Sequence, residues 1–253
     1  MLIVASAVSA LMLAGPAVSA HTSLAQDQKP VEKPQDPKAP QGRSAPAKPA
    51  PQRLPPPEQQ RRIGEQQQRL TQYGDQLAQQ QRLGPQRGHQ LQQQHRTAQF
   101  TFQQQYLVRM NDQQARLRNS DSYNYFNDPY FYTPATYRYQ RAGRFYETNE
   151  YGATAMRQAV NFGYEEGVGA GVADRQDHWA FNYQESYAYQ DGNFGYGGFY
   201  IDRDDYNYYF REGFRRGYDD GFYGRAQYGR QVSGHYSMIG GLLSVILGLQ
   251  VIR

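Results

Sequence analysis

Apolar residues change their spacing several times along the chain, and each change predicts a different element. Residues 2–15 form one short apolar run, followed by Pro16 and by Val18-Ser19-Ala20, small residues of the kind that precede signal-peptidase cleavage. The run is short for a membrane span, so it predicts a signal peptide over 1–20. Residues 21–57 have few apolar positions and ten prolines. Such a segment buries too little surface to offset its ordering entropy, which predicts a disordered Pro/Lys/Gln-rich linker acting as a tether.

Over 58–120 a thin apolar stripe emerges from a glutamine-rich background. Ile63, Leu70 and Leu77 recur every seven residues with Tyr73 between them, and Leu91, Ala98, Phe102, Tyr106, Met110 and Leu117 step by three, four or seven. The spacing predicts long helices, with a break near Gly84-Pro85 where proline removes a helical donor. So narrow a stripe requires a partner, either a second copy in a coiled coil or the chain's own C-terminal domain. The short, interrupted heptads favour the domain.

Residues 121–223 hold 30 of the 36 aromatic residues, which places the core of the 121–253 region there. Tyr137 to Glu147 alternates around Gly143 and predicts a β-hairpin; Tyr187 to Tyr196, with Asp191-Gly192 at its centre, predicts a second. Neither hairpin is stable alone, so each must pack on helices.

The strongest signal in the chain is a motif that occurs twice, 46 residues apart. Tyr164-Glu-Glu-Gly167-Val-Gly-Ala-Gly171-Val-Ala-Asp174 matches Phe210-Arg-Glu-Gly213-Phe-Arg-Arg-Gly217-Tyr-Asp-Asp220. Phe210, Phe214, Tyr218 and Phe222 step by four, as do Gly213, Gly217 and Gly221; Gly163, Gly167 and Gly171 repeat the glycine row. On α-helices spanning 160–176 and 205–224, these rows form an aromatic ridge beside a glycine groove, a device for close helix packing near the −50° class. Seven glycines in two helices cost about 7 kcal/mol relative to alanine, which only close packing can offset. Asp202, Asp204 and Asp205 suit a helix start and Gly224 a helix end. Charged residues interrupt both glycine rows, which excludes a membrane-buried zipper. Asp174 and Asp220 are placed to bond the partner helix or an arginine; the rival idea, a calcium site of Glu166, Asp174, Glu212 and Asp220, lacks the spacing of a binding loop. Residues 237–252 are mostly apolar but short for a span, predicting a buried helix or strand, with membrane or partner contact as the alternative. The fold class is therefore mainly α.

Composition narrows the function. The absence of cysteine removes disulfide and thiol chemistry and, in an exported chain, points to a bacterial envelope protein. The net charge of +4 is mild, and acidic residues interleave the aromatic region, which argues against a nucleic-acid partner despite the Arg/Gly/Tyr content. No metalloprotease, nucleophile-elbow, P-loop or dinucleotide fingerprint is present, so no enzymatic activity, metal or cofactor is expected. Trp179, Tyr183, Tyr187 and Tyr189 are candidate binding aromatics for a cell-wall glycan or peptide, with burial in the core as the alternative.

Over 160–224 the chain resembles glycine-rich helical repeats of the type YxxGxxxGxxDG, found in exported bacterial proteins, and more distantly glycine-zipper envelope proteins. The first copy departs from the pattern at Val168 and Val172, where the second has aromatics. The resemblance implies a helix pair and brings no activity with it. The expectation is a structural or protein-interaction role in the periplasm or cell envelope, with self-association or another envelope protein as partner, and a glycan- or peptide-binding module as the alternative.

Overall fold

The fold is that of a computed structural model describing residues 53–118 and 123–252. The expected signal peptide at 1–20 and the linker up to residue 52 lie outside the described residues, as does the Leu117 side chain. The described residues are mainly helical, with two small antiparallel sheets among them.

The first helix, α1, spans Pro56–Gln93. It starts inside the expected linker because Pro56 sits in the first turn, where the missing N–H has no intrahelical partner to lose. The break expected at Gly84-Pro85 does not occur: α1 continues through Pro85. Packing holds the helix there. A Cβ at Gly84 would lie 3.0 Å from Leu107, and Gln103 Nε2 donates to the Gly84 carbonyl at 3.0 Å. Helix α2, Thr97–Arg118, carries both neighbours and folds back antiparallel on α1. Its first turn is capped from a distance, since the Asp177 carboxylate accepts from the N–H groups of Ala98 and Gln99, both at 2.8 Å. The apolar stripe is covered by the chain itself: Ile63, Tyr73, Leu77, Leu91, Tyr106 and Met110 are all buried.

After a short helix α3, Pro129–Tyr132, the expected first hairpin forms from β1, Tyr137–Arg141, and β2, Arg144–Thr148. Ala142 and Gly143 both take positive φ (47° and 77°), the two-residue geometry that matches strand twist. The second expected hairpin is replaced by a helix. Tyr187–Asp191 forms α5, and Gly192 at φ 65° is its left-handed cap, so Asp-Gly ends a helix here instead of reversing a strand. A hairpin absent from the sequence reading follows later: β3, Gly229–Val232, and β4, His235–Met238, joined by Ser233-Gly234, both at positive φ.

The repeated motifs lie on α4, Glu150–Gln176, and α6, Arg203–Tyr223. The first helix begins ten residues before its expected start because Asn149 supplies the cap, accepting from the N–H groups of Tyr151 and Gly152. The second ends at Gly224 as expected. The apolar C-terminal stretch forms α7, Gly240–Leu247, and β5, Gln250–Val251, which pairs with β1 as the third strand. Burial there is partial: Leu247 is in the core, but Val245 and Val251 are 78% and 71% exposed. Among the described residues no helix is long and apolar enough to cross a membrane.

Candidate functional site

The two glycine rows face each other across the α4–α6 contact. A Cβ at Gly163, Gly167 or Gly171 would strike the carbonyl oxygen of Phe210, Phe214 or Tyr218 respectively. In the other direction, Gly213, Gly217 and Gly221 meet the carbonyls of Val160, Tyr164 and Val168. Partners ascend together along both helices, so α4 and α6 run parallel. The fit differs in kind from a side-chain ridge in a groove. Each glycine admits a backbone carbonyl of the partner helix, an approach of the Cα–H···O type, and the aromatic side chains are displaced to the flanks. The paired register is Gly163 with Gly213, 50 residues apart, whereas the matched motifs are offset by 46. Glycines spaced by four satisfy both.

On the flank, Phe210, Phe214, Tyr218 and Phe222 form a stacked column, with centroids 6.2, 6.3 and 5.9 Å apart at successive steps. The first three are fully buried. Gly169 serves another contact, since its Cβ would lie 2.9 Å from Phe102 of α2.

The two motif aspartates clamp the pair at its C-terminal end. Tyr218 Oη donates to Asp174 at 2.5 Å, and Tyr164 Oη donates to Asp220 at 2.7 Å, each across the helix contact. Asp174 also pairs with Arg96 at 2.6 Å, and Asp220 accepts from the N–H groups of Gln227 and Tyr228. Burial pushes the Asp174 carboxyl above its ordinary range, against the opposing pull of Tyr218 and Arg96. Glu166 is buried against Arg109, which donates to both its oxygens; desolvation outweighs that guanidinium and raises the carboxyl to about 7. Glu212 is held by Arg215 and Arg216 at the surface. Glu166, Asp174, Glu212 and Asp220 thus each have a separate partner, and among the described residues no His, Cys, Asp and Glu group could hold a metal ion.

A parallel pair requires its connection to travel back along the helices, roughly 30 Å for a helix the length of α6. Residues 177–202 do this, and their buried backbone groups need partners. Glutamines supply them. Gln113 Nε2 donates to the carbonyls of Asn193 (3.0 Å) and Tyr196 (2.8 Å), while its Oε1 accepts from Gly195 N–H at 2.8 Å. Gln66 bonds Gly198 O and Tyr200 N–H in the same manner. Tyr106 Oη and the Asn193 side chain both donate to buried Asp191, whose carboxyl burial pushes up. Sequence reading missed these roles because an amide that clamps a loop looks like any polar residue on a helix.

The candidate binding aromatics separate on this segment. Tyr187 is buried against Tyr106, and Arg96 covers the Trp179 ring at 4.4 Å. Tyr183 and Tyr189 are half-buried and meet edge to face at 5.0 Å. The four do not form one exposed face. Comparison with known proteins gives no match to any family model, curated protein or solved structure.

Proposed function

We propose that the protein is a non-enzymatic, exported structural or interaction protein of the bacterial cell envelope, built on the paired glycine helices. The observation that carries this reading is the fate of its buried acidic groups. Glu166, Asp174, Asp191, Asp205 and Asp220 are each held by a tyrosine or arginine of a neighbouring segment, so the polar chemistry inside the domain is engaged in packing. Export rests on residues 2–20, the proline-rich stretch after them, and a chain without cysteine.

Fractionation of cells with N-terminal sequencing of the purified protein tests the compartment. The expected product begins at His21 in the envelope or periplasmic fraction; an uncleaved cytoplasmic product overturns the envelope assignment. Sizing at several concentrations tests the interaction role, with self-association expected.

A further inference from the structure

The apolar C-terminal stretch is tied to the domain at both ends. Ile239 N–H donates to the Tyr228 carbonyl and Ile252 N–H to that of Thr136, both at 2.9 Å. Between these ties α7 packs one side inward: Leu247 is buried, and its carbonyl accepts from Tyr209 Oη at 3.5 Å. The other side faces outward. Val245 and Val251 are exposed, and an added Cβ at Gly240, Gly241 or Gly248 would meet nothing within 4 Å. Ser244, the one polar side chain of α7, donates its hydroxyl to the Gly240 carbonyl at 3.0 Å. The helix therefore presents an aliphatic surface that offers a glycan or a polar peptide little to bond.

Charge gives this face a sign. Asp220 is the last acidic residue of the sequence, and Arg225, Arg230 and Arg253 follow it. Arg225 is paired with Asp219. Arg230 lies on β3 opposite Ser237, three residues before α7, and among the described residues no carboxylate pairs with it. The acids on the elements packed around the stretch are engaged: Glu147 by Arg138, Glu150 by Arg157, Glu165 by His235 and Asp205 by Arg141.

These features select among occupants. A second copy would bring the same arginines and no acid, so charge opposes self-pairing through this face. At eight residues, about 12 Å, α7 is too short to cross a bilayer but can lie along its surface.

We infer that this face docks on the surface of an anionic phospholipid bilayer. Val245 and Val251 enter the boundary between headgroups and acyl chains, and Arg230 meets the phosphates. This goes beyond the envelope reading, and cell fractionation tests that reading separately.

The test is co-sedimentation of the full chain with vesicles of phosphatidylglycerol and phosphatidylcholine, and with vesicles of phosphatidylcholine alone. Binding to the mixed vesicles is expected, weaker as salt is raised, with phosphatidylcholine alone at least about tenfold weaker. Val245→Asp, at an exposed position, is expected to weaken binding at least about tenfold with unchanged melting, and Arg230→Ala about fivefold. Binding through the apolar run at 2–15 of an uncleaved chain would survive Val245→Asp, so that variant separates the two segments. Wild-type affinity in Val245→Asp, equal binding to both vesicles, no binding at millimolar lipid, or a change of oligomeric state in Val245→Asp without lipid overturns the proposal.

Discussion

The α4–α6 pair and the α1–α2 hairpin are both two-helix units, yet they are held by opposite means. In α4–α6 the side chain is deleted: six glycines let the backbones meet, and tyrosine hydroxyls lock the far end onto Asp174 and Asp220. In α1–α2 the side chain does the work: Gln103 of α2 reaches the Gly84 carbonyl of α1, and Gln113 reaches outward to the backbone of the 193–196 segment. The second arrangement answers a need created by the first. Parallel helices require a long return segment, its backbone polar groups must be satisfied where it is buried, and Gln66 and Gln113 satisfy them.

The largest expected effect comes from filling the glycine contact. Gly217→Leu places a branched side chain against the Tyr164 backbone, where even a Cβ would lie 2.8 Å from the carbonyl carbon. Backbone on one side and helix on the other leave no room to relax, so loss of cooperative melting by circular dichroism is expected. A variant melting like wild type would remove Gly217 from the contact.

Gln113→Ala tests the clamp. It leaves two carbonyls and one N–H of the 193–196 segment unpaired, which corresponds to about 4 kcal/mol at typical penalties for buried backbone groups. Urea denaturation measures the loss. Amide exchange adds a local signature, with protection falling first at Gly195.

Glu166 gives the pair a pH dependence of unusual sign. Its folded carboxyl is raised to about 7 by burial, with Arg109 opposing and Glu165 reinforcing. A raised acid favours the protonated fold, so the stability it contributes is fully present below about pH 4.5 and is lost as pH rises through 7. The span corresponds to roughly 3 kcal/mol. Glu166→Gln should flatten that part of the profile; an unchanged slope between pH 4.5 and 7 would falsify the assignment.

The mainly helical class, the first hairpin, the close approach along the glycine rows and the bonds of Asp174 and Asp220 were legible because each depends on spacing within a short stretch; the expected aromatic ridge in the groove was not, since backbone carbonyls take that place. What was not legible depends on distant partners. α1 continues through Pro85 where Leu107 and Gln103 of α2 pack on the adjacent Gly84, information held about twenty residues away. Asp191-Gly192 reads equally as a turn or a helix cap, and only Tyr106 and Asn193, bonded to Asp191, favour the cap.

Glycine is required in α4–α6 by backbone contact and not by chance composition, and a pair of alanine substitutions tests this most directly. Gly74, on the exposed side of α1, has nothing within 4 Å of the position an added Cβ would take and serves as the control. Urea denaturation of Gly217→Ala and Gly74→Ala should give opposite signs. Gly74→Ala is expected to stabilise by up to about 1 kcal/mol through helix propensity alone. Gly217→Ala gains the same propensity and still loses about 3 kcal/mol or more, because its methyl group meets the Tyr164 carbonyl. If Gly217→Ala proves as stable as wild type or more so, the two backbones are not in contact and glycine is not required there.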